Sequence, residues 1–192
     1  MRRLLLASSS PYRRELLSRL QLEFDCSSPE IDETAHPGEQ PEQLVRRLAL
    51  EKARALGRTH QQHLIIGSDQ IAVLGEEILG KPYTFERAKQ QLQTCSGKSV
   101  TFLTGLALLD SQTKTTQVDC VRFTVHFRTL SDQQIERYLQ AEQPYDCAGS
   151  FKAEGLGVSL FRSTEGPDVT SLIGLPLIRL VDMLNSAGLE LP

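Results

Sequence analysis

The order of apolar and polar residues predicts strands alternating with helices. Residues 3–8 are a short apolar run and predict a buried strand. Ser10-Pro11 then reads as a helix start, with Ser at the N-cap, Pro at the first helical position, and Leu16, Leu17 and Leu20 as the apolar stripe. Residues 22–26 predict a second strand, and residues 27–40 a polar loop carrying two prolines and a glycine. From Pro41 to about Leu56 the positions Leu44, Val45, Leu48, Ala49, Ala53 and Leu56 share one helical face, with Gly57 as the stop. Residues 64–67 and 71–74 read as two strand segments, followed by a turn at Gly75-Glu76-Glu77.

The second half repeats the alternation. Thr84 caps a helix running to about Cys95, and residues 100–109 and 116–127 predict two longer strands joined by a polar turn at 110–114. Ser131 with Gln134 forms a capping box for a helix to about Glu142. Residues 145–157 read as a glycine-containing loop, residues 158–162 as a strand, and Pro176 to Ala187 as a last helix stopped by Gly188. Strands and helices in this order predict an α/β sheet with helices packed on it.

A length of 192 residues fits one domain, or two lobes sharing one core. The net charge of −3, with no block of five like charges, excludes the electrostatic footprint of a duplex-binding protein. A small phosphorylated ligand needs only local positive charge and stays open. Cys26, Cys95, Cys120 and Cys147 lie far apart without a C-x-x-C pair, which predicts free thiols in a reducing cytosol. Residues 1–7 imitate a signal peptide, but their apolar segment is too short and polar Ser8-Ser9-Ser10 follows. The expectation is a soluble cytoplasmic protein with neither a membrane nor a nucleic acid as partner.

Two motifs fail on inspection. Ser96-Gly97-Lys98-Ser99 resembles the tail of a phosphate-binding loop, but Leu92 stands where that pattern needs glycine. His60 and His63 lack the acidic partner of a metalloprotease and read as solvated surface.

Three constellations can carry chemistry. In Leu6-Ala7-Ser8-Ser9-Ser10-Pro11-Tyr12-Arg13-Arg14 a strand runs into a serine-rich turn and a helix N-terminus, whose unpaired N–H groups suit an anion. Two arginines in that first turn oppose the helix dipole by about 0.3–1 kcal/mol each, a misfit that a bound phosphate chain relieves. Read alone, it is more simply a capped helix with exposed arginines. Glu30-Ile31-Asp32-Glu33 gathers carboxylates of the kind that take a hard divalent ion together with substrate phosphates, or form a solvated acidic loop. Asp69 interrupts the apolar run Ile65-Ile66-Gly67-Ser68-Asp69-Gln70-Ile71, where a carboxylate needs a partner, a metal or a catalytic task. Two lysines complete the set. Lys52 shares the apolar stripe of its helix and either snorkels or points inward, and Lys81 sits in the rigid Gly80-Lys81-Pro82 loop.

In this order the residues resemble the Maf-like nucleotide pyrophosphatase family. The marks are Ala7-Ser8-Ser9-Ser10-Pro11 with Arg13, Glu30 to Glu33, Glu51-Lys52-Ala53, Gly67-Ser68-Asp69, Gly80-Lys81-Pro82, Ala148-Gly149-Ser150-Phe151 and Gly174-Leu175-Pro176, spread over nearly the whole chain. The resemblance implies one Maf-like domain over residues 1–192: a mixed sheet with flanking helices in two lobes around a deep central cleft, related to inosine-triphosphatase-like enzymes and usually dimeric. It implies hydrolysis of a nucleoside triphosphate to monophosphate and pyrophosphate with a divalent cation, Mg²⁺, Mn²⁺ or Co²⁺. By the same resemblance Asp69 is the proton acceptor, and Glu33, Asp32 and Asp69 serve the metal. Arg13, Lys52 and Lys81 then grip the triphosphate, with Ser8 and Ser10 beside it.

Three positions depart from the family's commoner pyrimidine-type pattern: Tyr12, Gln70 and Glu154. They look like those of the subgroup that acts on 7-methyl-GTP. An ionised Glu154 can only accept, and guanine offers two adjacent donors. An N7-methylated guanine is cationic, which strengthens both carboxylate pairing and stacking on Tyr12. The alternatives are a pyrimidine or broad-specificity nucleotide pyrophosphatase and a non-catalytic nucleotide-binding regulator.

Overall fold

The computed structural model describes residues 2–192. Strands β1 (Arg3–Ala7), β2 (Phe24–Ser27), β3 (His63–Leu74), β4 (Glu77–Leu79), β5 (Ser99–Asp110), β6 (Thr116–Phe127) and β7 (Phe161–Glu165) form a mixed sheet. The hydrogen-bonded order is β2-β1-β3-β5-β6-β7, with β4 paired to β3. Helices α1 (Pro11–Ser18), α2 (Pro41–Gly57), α3 (Phe85–Cys95), α4 (Asp132–Glu142), α5 (Val169–Ile173) and α6 (Leu177–Ser186) flank it. Among the described residues no helix is long and apolar enough to cross a membrane.

The chain divides into two compact units. The first comprises Met1–Gln70, Thr104–Val121 and Asp168–Pro192. Here β1 pairs in parallel with β2 (Leu4 opposite Phe24) and with β3 (Leu4 opposite Leu64). Successive side chains of β1 point to opposite faces. Leu4 and Leu6 pack with Leu16, Leu17, Leu180 and Leu184 of α1 and α6, whereas Leu5 and Ala7 pack with Ala53 and Leu56 of α2. Burial on both faces is why β1 reads as a continuous apolar run rather than an alternation.

Helix α2 lies on this sheet through glycine. A Cβ on Gly67 of β3 would stand 1.9 Å from the Ala49 carbonyl oxygen, and one on Gly105 of β5 2.1 Å from that of Val45. Both helix residues lie on the face that carries Ala53, so the backbones of helix and strands touch where side chains would otherwise separate them.

The second unit comprises Ile71–Leu103 and Arg122–Pro167. Its strand pairs are antiparallel, with Ala72 opposite Leu79 and Thr124 opposite Glu165. Phe102, Phe127, Phe151 and Phe161 meet edge to face with ring centroids 4.9–5.7 Å apart. This is the favoured aromatic geometry, and it forms the centre of the unit's core.

Four expectations are corrected. Residues 64–67 and 71–74 are not separate segments but parts of the single strand β3, because the polar side chains between them bond to neighbouring elements and leave the ladder free to continue. The turn is confined to Gly75-Glu76, and Glu77 already belongs to the strand β4, since it pairs with Leu74 of β3. The strand expected over residues 158–162 starts late: Leu156–Leu160 is a 3-10 segment, and β7 runs from Phe161 to Glu165. The sequence pattern predicts no element over residues 169–173, where the structure has helix α5. Buried Asp168 makes it, accepting from Thr170 N (2.9 Å) and Thr170 Oγ1 (2.6 Å) at its start and from Ile178 N of α6 (2.9 Å).

The close approach of α2 gives a direct prediction. Gly67→Ala restricts the unfolded chain, worth about 0.4–1 kcal/mol, but forces a methyl into a backbone carbonyl, and overpacking of this kind costs about 1–3 kcal/mol or more. The expected result is a net loss of stability, read as a lower urea midpoint with an unchanged slope.

Candidate active site

The site grows from the face of α2 that touches β3. Lys52 lies three residues beyond Ala49, so the contact that brings Ala49 onto Gly67 aims Lys52 at the next same-face residue of β3, Asp69. Lys52 Nζ is 2.6 Å from Asp69 Oδ1 and 2.8 Å from Glu33 Oε1. The lysine therefore points inward rather than snorkelling. Lys52 and Asp69 are both buried, with side chains 10% and 11% exposed, whereas Glu33 is 59% exposed. The lysine is thus a bridge between a buried carboxylate and one at the rim. A buried ammonium with two carboxylates near it is compensated, and either acid alone beside apolar walls would not be.

Arg13 joins the same group. Its Nε donates to the Gly174 carbonyl (2.8 Å) and its Nη1 reaches Ser8 Oγ at 3.5 Å. Burial pulls the Arg13 guanidinium below its ordinary value, opposed by the negative charges of Asp69 and Glu33. Ser10 caps α1 through Arg13 N (3.4 Å), and Ser8 Oγ accepts from Ser10 N (3.1 Å). The serine-rich turn is therefore an ordered strand-to-helix corner that fixes where Arg13 starts.

A second layer was not visible in the sequence. Ser68 Oγ donates towards the carbonyls of Gly105 (2.9 Å) and Gly174 (3.0 Å). Gly174 adopts φ +125°, a region that only glycine occupies without strain, and this turns its carbonyl towards both Ser68 and Arg13. Gln70 Nε2 donates to Thr104 Oγ1 (3.1 Å), Ser171 O (2.7 Å) and Leu172 O (3.1 Å). The amide N–H groups of Gln70 are thus taken up by the protein itself and pin α5 to β3. Only the alternation of small polar residues with glycine near Asp69 hinted at this layer.

Other expected residues lie as follows. Tyr12 is half-buried in the first turn of α1. Asp32 is exposed, and the Thr34 side chain, together with Thr34 N donating to Oδ1 at 2.9 Å, lowers its carboxyl below the ordinary value. Of the three expected carboxylates, Glu33 and Asp69 meet at Lys52, while Asp32 accepts within its own loop through Oδ1. Among the described residues no three His, Cys, Asp or Glu side chains gather to hold a metal. In the second unit, Lys81 is exposed beside Gly80, whose carbonyl accepts from Gln91 Nε2 at 3.0 Å. Glu154 is exposed there too, and its charge bears on the Tyr138 phenol and the Cys147 thiol, both raised mainly by burial, the thiol to about 12. Such a thiol is protonated at neutral pH and is no nucleophile.

A family model for Maf-like protein spans residues 3–187. The chain belongs to the Maf-like family. Similar relatives extend over nearly its full length. A protein of Pseudomonas fluorescens (strain Pf0-1) named 7-methyl-GTP pyrophosphatase is 71% identical over 189 residues, 98% of each chain. Proteins of the same name from Pseudomonas aeruginosa PAO1 and Alcanivorax borkumensis are 68% and 56% identical, over 98% of this chain and 98% and 96% of theirs. The Maf-like marks Ser8, Ser10, Arg13, Glu33, Lys52 and Asp69 are those that this structure draws into one group.

The Lys52–Asp69 contact predicts a non-additive stability cycle. Lys52→Met leaves a buried carboxylate unpaired and destabilises by about 3 kcal/mol. Adding Asp69→Asn to it recovers part of the loss, so the double variant is more stable than the sum of the singles predicts. Urea unfolding of the four proteins checks this.

Proposed function

We propose that this Maf-like protein is a nucleotide pyrophosphatase that hydrolyses 7-methyl-GTP to 7-methyl-GMP and pyrophosphate. The observation that carries the reading is the convergence of two cations, Arg13 and Lys52, with two carboxylates, Asp69 and Glu33, over the middle of β3 and beside the turn that follows β1. A binder of phosphate needs the cations alone. The buried acid among them is what hydrolysis requires. The shared name of the relatives supports the choice of nucleotide.

In this mechanism the triphosphate lies against Arg13 and Lys52, beside the Ser8–Ser10 turn. Arg13 is already oriented by Gly174 and Ser8, so little side-chain freedom is lost on binding. Asp69 Oδ1 is bonded to Lys52, which leaves Oδ2 as the oxygen that takes a proton from the attacking water. The water oxygen bonds to the α-phosphorus, the bond from that phosphorus to the α–β bridging oxygen breaks, and pyrophosphate departs with the electron pair. Lys52 and Arg13 stabilise the charge that grows on it.

The oxygen donors also suit a hard divalent cation. Mg²⁺ is commonly held by one or two carboxylates together with substrate phosphates, and Glu33 and Asp69 meet that requirement on either side of Lys52. Such an ion would supply charge neutralisation on the phosphate oxygens. Lys81 and Glu154 enter the proposal on their chemistry: an exposed lysine for phosphate, and a carboxylate that accepts from guanine N1–H and the N2 amine. Tyr12 offers its ring to the cationic methylated base.

Pyrophosphate release from a panel of 7-methyl-GTP, GTP, dTTP and UTP with Mg²⁺, Mn²⁺ or Co²⁺ tests the activity. The expected result is preference for 7-methyl-GTP. Equal rates on dTTP support the broad-specificity alternative, and no turnover at all supports a non-catalytic binder. Asp69→Asn is expected to lower kcat by about 10²–10⁴-fold while nucleotide binding persists. Glu154→Gln is expected to cut the preference for 7-methyl-GTP over dTTP by about tenfold, the value of one charge-assisted hydrogen bond. Unchanged discrimination removes Glu154 from base recognition.

A further inference from the structure

Glu33 lies in a segment without strand or helix, between β2 and α2, yet its carboxylate meets Lys52 at 2.8 Å. What holds this loop is one side chain of α2. Arg47 Nε and Nη2 grip the two carboxylate oxygens of Glu39 at 2.6 and 2.8 Å, a bidentate fork. The same Nη2 donates to the Thr34 carbonyl at 3.0 Å, and Nη1 to Glu51 Oε2 at 3.1 Å. Glu39 in turn accepts from His36 N at 2.9 Å, and Thr34 N donates to Asp32. Both ends of the stretch 34–39 are therefore fastened to one guanidinium, and the residue preceding the first fastening is Glu33.

The geometry points to Arg47 as a positioning residue that sets the Glu33 carboxylate beside Lys52 and Asp69. The inference rests on the proposed hydrolytic function of that site. Arg47 is only 18% exposed in its side chain and Glu39 8%, so the fork is shielded from solvent, unlike the usual surface ion pair. Arg47 also holds the Glu39 carboxyl down at about 2, so the fork stays ionised across the neutral range. Arg47 and Lys52 leave the same helix five residues apart. Arg47 fixes the backbone of the loop, and Lys52 receives its side chain. No lysine replaces this arrangement, since an ammonium cannot grip a carboxylate in two parallel bonds and a carbonyl at once.

The test is a double-mutant cycle joined to hydrogen exchange of the metal-free protein. Arg47→Ala, Arg47→Lys and Glu39→Gln are each made in the wild-type and Glu33→Gln backgrounds, and kcat and KM for 7-methyl-GTP are measured with Mg²⁺. Removing a supporting group of this kind costs about 10–100-fold. The expected result is a loss in kcat of about tenfold in the wild-type background, and of less than about twofold once Glu33 is already Gln. Exchange in residues 30–36 is expected to accelerate, with α1 and β1 unchanged. Equal losses in both backgrounds, or unchanged exchange in the loop, overturn the inference and reduce Arg47 to a stabilising contact. Glu39→Gln opens the fork without altering α2 and serves if Arg47→Ala does not fold. If the wild-type protein hydrolyses no triphosphate, the proposed function fails. The exchange measurement then still decides whether Arg47 fixes the Glu33 loop.

Discussion

Lys52 Nζ, set between Asp69 and Glu33, is the contact on which the site depends. A charged amine on the apolar face of a helix is expensive to bury, and the cost is met only if its partners arrive in register. Asp69 arrives from β3 and Glu33 from the loop before α2, so one cation ties three separate stretches of the first unit. The same cation keeps two acids close to each other without leaving their charges uncompensated. A site that must receive an anionic phosphate chain beside carboxylates has to solve this electrostatic problem before any ligand binds.

The contact is possible because α2 sits closer to the sheet than helices with ordinary side chains beneath them can. Gly67 and Gly105 allow the carbonyls of Ala49 and Val45 to rest against the strands. Asp69 is two residues beyond Gly67 on the same face of β3, and Lys52 is one helical turn beyond Ala49. The depth of packing thus sets the length of the ion pair. On the other side of Asp69, Ser68 and Gln70 bond to the segment that ends in Gly174, and Gly174 orients Arg13. Asp69 is therefore flanked by two residues whose polar groups serve the scaffold, which explains why three consecutive polar residues occupy a buried strand.

The chain belongs to the Maf-like family, and within its first unit Arg13, Glu33, Lys52 and Asp69 come together beside the Ser8–Ser10 turn. Asp32 stands apart because a short acid two residues before an N–H closes a turn more readily than it reaches outward. The amide Nε2 of Gln70 bonds three protein oxygens in the same way.

The sequence by itself determined the elements with strong periodicity or explicit punctuation: β1, the caps at Ser10, Thr84 and Ser131, the amphipathic α2 with Lys52 on its apolar face, and Asp69 as an acid inside an apolar run, whereas Arg13 and Glu33 stood out only through resemblance to the Maf-like family. These rest on local physics, namely alternation, capping and the cost of burying charge. Tertiary structure alone decided that β3 is continuous, that α5 exists, and that β7 begins after a 3-10 segment. It alone also decided that Gly174, Ser68 and Thr104 support the site and that Arg47 holds the loop of Glu33. Each of these depends on a hydrogen bond or close approach to a residue outside its own segment, and neighbouring letters in a chain carry no record of which distant atoms will complete their bonds.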